Sequence, residues 1–387
     1  MKIYMIAGEL SGDKLGVSLM KGLKSLSEDK IEFHGVGGPL MSSEGLQSQF
    51  PMDELSVIGL VEILPKYFHL KRRIQECADA IAALKPDVVI TIDSPDFCLR
   101  VAKLVREQGD TRTVHYVAPS VWAWRPGRAA KMAPMIDQVL ALLPFEPPYM
   151  EAHGMRCDFV GHPVVSEPVA TEEEATAFRA EQAIDAAPLA LVLPGSRRSE
   201  VSRLLPTFVE TMELLQSERP ELKFVLPAAA PVAELVVELT SGMANPPIIL
   251  DPRNVDDATF ATQKRAAFKA ANVALAASGT VSLELSASST PMVIAYDVSW
   301  LSRKIFQRML KIDTLTLANL VTDTREIPEF LGENCRADLI APGVLGVLDQ
   351  PTKQQKIVNQ TMELLGRGAE DPGIRAARAV LDGLKAR

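Results

Sequence analysis

The chain is organised around the stretch Leu191-Val192-Leu193-Pro194-Gly195-Ser196-Arg197-Arg198-Ser199-Glu200. Its apolar residues predict a buried strand, its glycine and serine predict a sharp turn, and its charged residues predict the start of a helix. Backbone N–H groups at a helix start are unpaired and carry partial positive charge, to which the two arginines add. The stretch is therefore a candidate cradle for a diphosphate, and a solvated turn is the alternative.

Apolar runs of this kind alternate with amphipathic stretches along most of the chain. We predict strands at Lys2–Ala7, Ile31–Val36, Asp87–Asp93, Thr113–Ala118, Gln138–Leu143, Asp158–Gly161, Leu189–Leu193, Leu222–Leu226, Ile248–Leu250, Val273–Ala277 and Met292–Tyr296. Strands that alternate with helices are typical of parallel sheets with crossover helices. The sequence thus predicts an α/β fold with two doubly wound, Rossmann-like sheets.

The predicted domains follow from the position of the linker. Pro163–Pro188 is expected to hold the linker and the first helix of the second domain. The first domain then covers residues 1–165 and the second covers residues 166–350. Residues 351–387 contain no strand pattern, and their two helical segments are expected to pack back on an N-terminal domain.

Composition limits the classes of function. With 41 basic and 49 acidic residues among 387, the net charge of −8 argues against a general nucleic-acid surface. The four cysteines are far apart and fit neither a zinc site nor a disulfide framework, so a reducing compartment is expected. No signal peptide and no run of the roughly 18 apolar residues that a membrane span needs are visible.

The first half opens with the same strand, turn and helix pattern, but its turn, Gly8-Glu9-Leu10-Ser11-Gly12-Asp13, is acidic. Glu9 and Asp13 would repel a diphosphate, whereas a sugar hydroxyl or a group to be deprotonated would suit them. Open parallel sheets bind ligands beyond the carboxyl ends of their strands, so the turns of the two domains are expected to enclose a cleft. For Asp13 alone, an offset of the helix dipole is an equal alternative.

Asp93 is the candidate general base. It directly follows the predicted strand Val88–Ile92, and partial burial at a strand end would raise its pKa toward the working range of a base. Capping of the next helix is the alternative role for an aspartate here, and we assign that role to Asp96 or Ser94.

A second glycine turn, Ala277-Ser278-Gly279-Thr280, ends a strand in the second half. Its hydroxyl and N–H groups suit phosphate oxygens, and Glu284 follows one helical turn later, where a carboxylate can pair with a ribose diol. Together with Arg197 this turn predicts a nucleotide diphosphate site, with a packing motif as the alternative. No metal-ligand cluster is visible in the sequence, and we expect no metal or other cofactor.

Seven motifs, in order over nearly the whole chain, resemble those of the lipid-A-disaccharide synthase family. They are Ala7-Gly8-Glu9-Leu10-Ser11-Gly12-Asp13, Ile92-Asp93-Ser94-Pro95-Asp96-Phe97, His115-Tyr116-Val117-Ala118-Pro119-Ser120-Val121-Trp122-Ala123-Trp124-Arg125, Leu142-Leu143-Pro144-Phe145-Glu146, Phe159-Val160-Gly161-His162-Pro163, Leu193-Pro194-Gly195-Ser196-Arg197 and Ala277-Ser278-Gly279-Thr280. The resemblance implies a GT-B glycosyltransferase fold and an inverting transfer. UDP-2,3-diacylglucosamine would donate its sugar to the 6-hydroxyl of 2,3-diacylglucosamine 1-phosphate, which gives the β-1,6-linked disaccharide phosphate and UDP.

The resemblance also implies roles for individual residues. Asp93 would be the base, with Glu9 near the reacting sugars, and UDP would be held by Arg197, Ser278, Gly279, Thr280, Glu284 and Asn319. The family further implies a homodimer that exchanges C-terminal segments. Two positions depart from the family pattern: Ala318 stands where a proline is usual, and Gly332 stands where a glutamine is usual.

The residues from Val57 to Leu84 themselves favour a lipid substrate. One helical stripe, formed by Leu60, Ile63, Tyr67, Leu70, Ile74, Cys77, Ile81 and Leu84, is most simply core. The second stripe is not needed by that core and lies beside basic residues; the predicted lipid or membrane contacts are Val57, Val61, Leu64, Phe68, Lys66, Arg72 and Arg73. Apolar surface beside positive charge suits docking on an anionic bilayer or the binding of acyl chains. Together with this stripe, the family resemblance implies a cytoplasmic protein that is peripheral on the inner face of the inner membrane.

A similar combination around Trp300, with Leu301, Ile305, Phe306 and Met309, leaves core packing and membrane contact equally open. Alternatives also remain for the function: another lipid-linked N-acetylglucosaminyltransferase, a sugar-nucleotide epimerase, or a nucleotide-sugar sensor without turnover. A dinucleotide oxidoreductase is disfavoured, since neither half carries Gly-x-Gly-x-x-Gly after its first strand.

Overall fold

The chain folds into two compact α/β units. The computed structural model describes residues 1–55, 60–300, 303–304 and 309–386, and for residues 60–67 it describes the backbone alone. The first unit comprises Met1–Ser166 together with Gly368–Arg387, and the second comprises Glu167–Arg367.

Each unit is built on one parallel sheet. The strands are β1 (Lys2–Ala7), β2 (Glu32–Val36), β3 (Gln47–Ser48), β4 (Val88–Ile92), β5 (Arg112–Tyr116), β6 (Gln138–Ala141), β7 (Arg156–Phe159), β8 (Leu189–Leu193), β9 (Lys223–Pro227), β10 (Ile248–Leu250), β11 (Val273–Ala276), β12 (Met292–Tyr296) and β13 (Glu329–Leu331). The first sheet has the order β3-β2-β1-β4-β5-β6-β7 and the second has the order β10-β9-β8-β11-β12-β13. The strand order reverses between β1 and β4 and again between β8 and β11, and at such switch points open α/β sheets bind their ligands.

Helices connect the strands. They are α1 (Leu10–Leu26), α2 (Pro39–Ser43), α3 (Leu60–Leu84), α4 (Pro95–Gln108), α5 (Gly127–Met132), α6 (Pro147–Glu151), α7 (Glu172–Glu181), α8 (Arg198–Glu218), α9 (Ala233–Thr240), α10 (Asp257–Ala270) and α11 (Val281–Ala287), followed by helices at Leu317–Thr322, Ala337–Asp349, Thr352–Leu364 and Pro372–Lys385. The predicted α/β fold with two doubly wound parallel sheets is confirmed.

Strand β1 shows why an uninterrupted apolar run forms a central strand. Ile3, Met5 and Ala7 point to one face of the sheet and pack with α1 and the last helix. Tyr4 and Ile6 point to the other face and pack with α3 and α4. Successive side chains of a strand face opposite sides, so a strand that is covered on both faces needs apolar residues throughout.

Every predicted strand is present, and two edge strands were not predicted. Gln47–Ser48 and Glu329–Leu331 are only two and three residues long and lie at the edges of their sheets. The side chains of these edge strands are less buried than those of a central strand, so the strands do not need the long apolar run by which a central strand is predicted.

The C-terminal residues divide between the units, which corrects the expectation for residues 351–387. The helix Thr352–Leu364 belongs to the second unit, and only Pro372–Lys385 packs in the first unit, where it lies against α1. Glycines allow the helix Pro372–Lys385 to pack closely against α1, since a Cβ atom added to Gly22 would stand 2.5 Å from the carbonyl oxygen of Gly373.

The core stripe of α3 is confirmed where its side chains are described. Ile74, Cys77 and Ile81 are buried in a cluster with β1, and Leu70 and Leu84 pack against it partly buried. No helix within the described part of the chain is long and apolar enough to cross a membrane.

Candidate functional site

The second unit contains a pocket of about 470 Å³ at the switch point between β8 and β11. It is lined by the turns after these two strands, by the end of β9 and by side chains of α8, α10 and α11. The lining residues are Leu193, Gly195, Ser196, Arg197, Glu200, Pro227, Ala228, Ala229, Phe260, Lys264, Phe268, Ala277, Ser278, Gly279, Thr280, Val281 and Glu284. The structure thus brings together five of the six residues predicted to hold UDP.

Arg197 stands at the N-terminus of α8 with a largely exposed side chain. Its guanidinium lies 3.2 Å from a carboxylate oxygen of Glu200, and the other oxygen of that carboxylate accepts long hydrogen bonds of 3.3 Å from the N–H groups of Ser196 and Arg197. An internal carboxylate thus occupies two N–H groups of the turn that was predicted to have unpaired N–H groups. A bound phosphate would replace one anion by another at the same donors.

The opposite wall of the pocket combines the second glycine turn with two helices. Glu284 of α11 pairs with Lys264 of α10 at 2.8 Å, and the Lys264 ammonium also lies 5.1 Å from the ring centre of Phe268. The Ser278 hydroxyl donates to the carbonyl oxygen of Leu315 at 3.2 Å. Sequence reasoning missed Lys264, Phe260 and Phe268, since these residues lie inside an ordinary amphipathic helix with no motif to mark them.

Asn319 does not line the pocket. It is fully buried in the helix Leu317–Thr322, where its side-chain amide donates to the carbonyl oxygen of Ile327 at 3.0 Å. Its side-chain oxygen accepts from the N–H of Ile327 at 3.1 Å. This corrects the prediction that Asn319 contacts UDP, since both ends of the amide hold the segment that leads into β13.

The first unit brings Glu9 and Asp93 to neighbouring turns at its own switch point. Strands β1 and β4 are paired in parallel, with Ala7 opposite Ile92, so the turns that follow them lie side by side. A Cβ atom added to Gly8 would stand 2.6 Å from the hydroxyl oxygen of Ser94, which shows how closely the two turns approach. Glu9 itself is exposed at the start of α1.

Asp93 has a strained backbone and a partly buried carboxyl group. Asp93 and Ser94 have φ angles of 52° and 43°, a left-handed conformation that non-glycine residues adopt at a cost. Burial raises the pKa of the Asp93 carboxyl, and the backbone N–H of Ser94 offsets part of that rise. A carboxyl group with a raised pKa at a strand end is suited to proton transfer.

Neither residue to which we assigned capping of α4 caps it through its side chain. Ser94 occupies the N-cap position without a side-chain hydrogen bond to the helix. Asp96 is exposed and its carboxylate accepts a hydrogen bond of 2.7 Å from Arg128. This prediction is therefore wrong for both residues.

Asp13 has a structural role. Its carboxylate is buried and accepts hydrogen bonds from the backbone N–H groups of Gly38, Leu40 and Met41 at 2.9, 2.9 and 3.0 Å. These donors belong to the start of α2, whose first N–H groups have no partner within the helix. Asp13 thus anchors a neighbouring helix and is not available to a substrate.

Two of the quoted motifs contact each other. The indole N–H of Trp122 donates to a carboxylate oxygen of Glu146 at 3.2 Å, and the rings of Trp122 and Phe145 meet edge to face at 5.1 Å. Burial raises the pKa of Glu146 to about 7, although hydrogen bonds from Leu143 and Trp122 oppose the rise. This part of the tryptophan-rich motif therefore supports the fold of the first unit.

The predicted lipid-contact residues are described only in part. Val57 and the side chains of Val61, Leu64 and Lys66 lie outside the described residues. Phe68 is 81% exposed, and Arg72 is also exposed, with its guanidinium 3.4 Å from a carboxylate oxygen of Glu76.

Arg73 corrects the prediction of a membrane-facing charge. Its guanidinium bonds Glu54 at 2.7 and 2.9 Å and Glu76 at 2.6 Å, and it lies 4.4 Å from the ring centre of Phe50. Arg73 and His69 hold the pKa of the Glu54 carboxyl at about 2, below its usual value. Its charge is thus neutralised within the protein.

In the patch around Trp300, this tryptophan is 64% exposed, and the Lys304 ammonium lies 4.0 Å from the centre of its ring. Leu301, Ile305 and Phe306 lie outside the described residues. Among the residues that are described, no three His, Cys, Asp or Glu side chains are grouped as a metal ion would require.

Comparisons with known proteins identify relatives over the whole chain. A family model described as lipid-A-disaccharide synthetase matches residues 3–376. The lipid-A-disaccharide synthase of Ruegeria pomeroyi is 58% identical over 384 residues, which cover 99% of this chain and 96% of that protein. The enzyme of the same name from Rhodospirillum centenum is 45% identical over 386 residues, which cover 98% and 94%.

Solved structures with the same fold are more distant in sequence. A UDP-GlcNAc 2-epimerase from Neisseria meningitidis, bound to UDP-GlcNAc, has a TM-score of 0.65 at 12% identity and covers 100% of both chains. A putative UDP-N-acetylglucosamine 2-epimerase from Listeria monocytogenes has a TM-score of 0.64 at 15% identity and covers 100% of this chain and 96% of its own. At such identities the likeness shows the fold alone, and it confirms the predicted GT-B type.

Proposed function

The chain belongs to the lipid-A-disaccharide synthase family and is a glycosyltransferase, and from this premise we propose its substrates and its stereochemistry. The donor is UDP-2,3-diacylglucosamine and the acceptor is 2,3-diacylglucosamine 1-phosphate. The acceptor 6-hydroxyl attacks the anomeric carbon of the donor, the bond to the UDP oxygen breaks, and the new β-1,6 linkage has inverted configuration.

The observation that carries this proposal is the difference in charge and burial between the two switch points. The turn after β4 presents the partly buried carboxyl group of Asp93. The pocket after β8 and β11 presents the guanidinium of Arg197, the Lys264 ammonium and hydroxyl groups. The first set is suited to accept a proton and the second is suited to hold a diphosphate.

In the proposed mechanism Asp93 accepts the proton of the 6-hydroxyl as that oxygen attacks. Glu9, in the adjacent turn, holds sugar hydroxyl groups. Arg197 and the turn Ser278–Thr280 stabilise the negative charge that develops on the departing UDP, and Glu284 pairs with its ribose. Because UDP is already a good leaving group, positioning of the two sugars supplies much of the acceleration.

The Glu200 carboxylate must leave the N–H groups of Ser196 and Arg197 when the diphosphate binds. Its hydrogen bonds of 3.3 Å to these groups are long, so their replacement by shorter bonds to a phosphate is favourable. In this proposal Asn319 does not contact UDP. It has an indirect, structural role, because its side chain forms hydrogen bonds with the backbone of Ile327 and holds the segment before β13.

We further propose that the protein acts at the cytoplasmic face of the inner membrane as a peripheral homodimer with exchanged C-terminal segments. The exposed Phe68 and Arg72 support contact with an anionic bilayer. In the single chain the last helix packs on α1, and exchange would place the same helix on α1 of a second copy.

Incubation of purified protein with both proposed substrates, followed by mass spectrometry, tests the reaction. We expect the disaccharide 1-phosphate and one UDP for each disaccharide, with a β linkage by NMR. Boiled protein is the negative control, and an authentic enzyme of the family is the positive control. Absence of product while the positive control is active would overturn the proposal.

The same assay separates the alternatives. A sugar-nucleotide epimerase would change the donor in the absence of acceptor, whereas the proposed transfer releases UDP only when acceptor is present. A sensor would bind UDP without releasing product. Another lipid-linked N-acetylglucosaminyltransferase would use a different acceptor when several are offered in competition.

A further inference from the structure

A basic groove lies between α4 and α5 in the first unit. It encloses about 560 Å³ and is lined by ten residues, of which five carry positive charge and one carries negative charge. The five cations are Arg100, Lys103, Arg125, Arg128 and Lys131, and the carboxylate is that of Asp96. Leu99 and Met135 add apolar surface to the walls.

Few of these cations are neutralised within the protein. Arg128 pairs with Asp96 at 2.7 Å, and Lys103 lies 3.8 Å from a carboxylate oxygen of Glu107. The guanidinium of Arg125 lies 4.0 Å from the ring centre of Trp124. Within the described part of the chain, Arg100 and Lys131 form no ion pair.

Such a concentration of charge is unusual in this protein, whose net charge is −8. Like charges around one cavity repel each other, and a bound anion would relieve that repulsion. A concave site with several cationic donors therefore favours the binding of an anion.

The groove begins beside the proposed base. Pro95 and Asp96 line its near end at the first turn of α4, two and three residues after Asp93 in the chain. Leu99, Arg100 and Lys103 continue along the same face of α4, because residues three and four apart are neighbours on a helix. A ligand in the groove would thus extend away from Asp93 along α4.

We propose that this groove binds the phosphate monoester of the acceptor, and this inference rests on the proposed function. A dianionic phosphate needs several donors, and guanidinium groups supply them in paired geometry. In the acceptor sugar the carbon that bears the phosphate and the carbon that bears the 6-hydroxymethyl group are both bonded to the ring oxygen. With the hydroxyl at Asp93, the phosphate would therefore lie within one sugar ring of this residue, toward the groove that begins beside it. Arg100 and Lys131 contribute positive charge. Arg128 leaves its ion pair with Asp96 and pairs with the phosphate instead.

The test compares two acceptors that differ only in the phosphate. The variant Arg100→Gln/Lys131→Gln changes two exposed residues and retains the pair of Arg128 with Asp96. The control Lys21→Gln/Lys30→Gln removes the same charge from exposed positions outside the groove. Acceptor KM is measured in detergent with 2,3-diacylglucosamine 1-phosphate and with its dephosphorylated form.

We expect the groove variant to raise KM for the phosphorylated acceptor about 10-fold or more. Its KM for the dephosphorylated acceptor and for the donor should stay as in the wild type, and the control variant should change none of these values. An equal change in KM for both acceptors would overturn the inference, since the groove would then not recognise the phosphate. An unchanged KM together with weaker sedimentation on phosphatidylglycerol vesicles would also overturn it, in favour of a lipid headgroup site.

A binding measurement keeps this inference separate from the proposed function. Titration of soluble glucosamine 1-phosphate into the wild type, followed by calorimetry or ³¹P NMR, requires no turnover. Binding that the groove variant loses and the control retains supports the site even if no disaccharide forms. No binding to the wild type at millimolar concentration, together with a normal disaccharide assay and unaltered KM values in the variant, would leave the function standing and overturn the site.

Discussion

Asp93 and Asp96 are three residues apart but differ in environment. Asp93 is partly buried, and burial raises the pKa of its carboxyl group. Asp96 is exposed and forms an ion pair with Arg128. The two aspartates therefore form a matched pair for testing which carboxylate takes part in the reaction.

The variant Asp93→Asn should lower kcat by about 10²- to 10⁴-fold, because an amide cannot accept the hydroxyl proton. UDP affinity, measured by calorimetry, should stay unchanged, since Asp93 lies outside the pocket of the second unit that is proposed to bind UDP. Asp96→Asn is the control for kcat: it should keep most of its kcat, and only its acceptor KM should change, because Asp96 lines the groove proposed for the acceptor phosphate. An equal loss of turnover and UDP binding in Asp93→Asn would show that Asp93 is structural.

The pH dependence of the rate follows from the same group. A base must be deprotonated to act, and burial raises the pKa of Asp93 above the usual aspartate value. We expect kcat/KM to fall on acidification, with the midpoint of this acidic limb above pH 4, near which an ordinary aspartate titrates. A rate that stays constant down to that pH would contradict the assignment.

Arg197 and Arg198 are adjacent exposed arginines, and of the two only Arg197 lines the pocket. Arg197→Ala should weaken UDP binding about 10- to 100-fold, the range expected for the loss of a hydrogen bond to a charged group. Arg198→Ala, measured in the same calorimetric titration, should bind UDP nearly as the wild type does. Equal losses in the two variants would indicate only a general effect of positive charge.

At the scale of elements, the contact between α1 and the last helix depends on glycine. A Cβ atom added to Gly373 would stand 2.1 Å from the hydroxyl oxygen of Ser18 and 2.8 Å from its carbonyl oxygen. The backbone of Ser18 cannot move without shifting α1, which packs on the core of the first sheet. A side chain at this position therefore separates the two helices.

Gly373→Ala should destabilise the first unit by about 1–3 kcal/mol through this overpacking. Gly127→Ala is the control in the same unit, because nothing lies within 4 Å of the position of its added Cβ atom. Urea unfolding followed by tryptophan fluorescence measures both, as Trp122 and Trp124 report on the first unit. An unchanged midpoint for Gly373→Ala would show that the helix contact is looser than described.

At the scale of the whole molecule, the two units are built from different parts of the chain, and each has its own sheet and core. The residues that line the pocket proposed to bind UDP all belong to Glu167–Arg367. The first unit, in contrast, needs the last helix, whose residues come more than two hundred positions after those of its sheet.

The fragment Glu167–Arg367, produced alone, should therefore fold and bind UDP with an affinity close to that of the full chain. Circular dichroism establishes its folding and calorimetry measures its binding. A chain truncated after Arg367 should keep this UDP site while its first unit loses stability, since α1 is then uncovered. A folded fragment that does not bind UDP would show that the pocket needs residues of the first unit.

The stability of the first unit should fall on acidification. Burial lowers the pKa values of His115 and His162 to about 4, whereas unfolded histidines titrate near 6.5. Below pH 6.5 the unfolded chain binds protons that the folded chain cannot, so each histidine costs on the order of 2 kcal/mol as the pH approaches 4. Glu146, whose pKa is raised to about 7 in the folded state, opposes part of this loss because its stabilising contribution is greatest at low pH.

The variant His162→Asn tests this pH dependence. The ring nitrogen Nδ1 of His162 accepts a hydrogen bond from the N–H of Val164 at 3.1 Å, and an asparagine oxygen can replace that acceptor. We expect a smaller decrease in urea midpoint between pH 7 and pH 5 than in the wild type. An identical decrease would show that other groups control the acid stability.

The sequence by itself determined the two parallel sheets, the turns that follow their central strands and the family. Central strands such as Leu189–Leu193 need apolar side chains on both faces, and tight turns need glycine, so local composition reveals both. Short edge strands cannot be predicted in this way, because a strand of two or three residues that is only partly buried does not require a particular composition.

Only the tertiary structure decided which polar side chains of these turns remain available for chemistry. Asp13 is occupied by backbone N–H groups that lie 25 to 28 residues away in the chain, and Arg73 is occupied by Glu54. Asn319 is likewise engaged by Ile327, whereas Asp93 keeps a partly buried carboxyl group at the switch point. Which groups form a hydrogen bond depends on their distance in the folded structure, and this distance cannot be derived from the residue types or from their spacing along the chain.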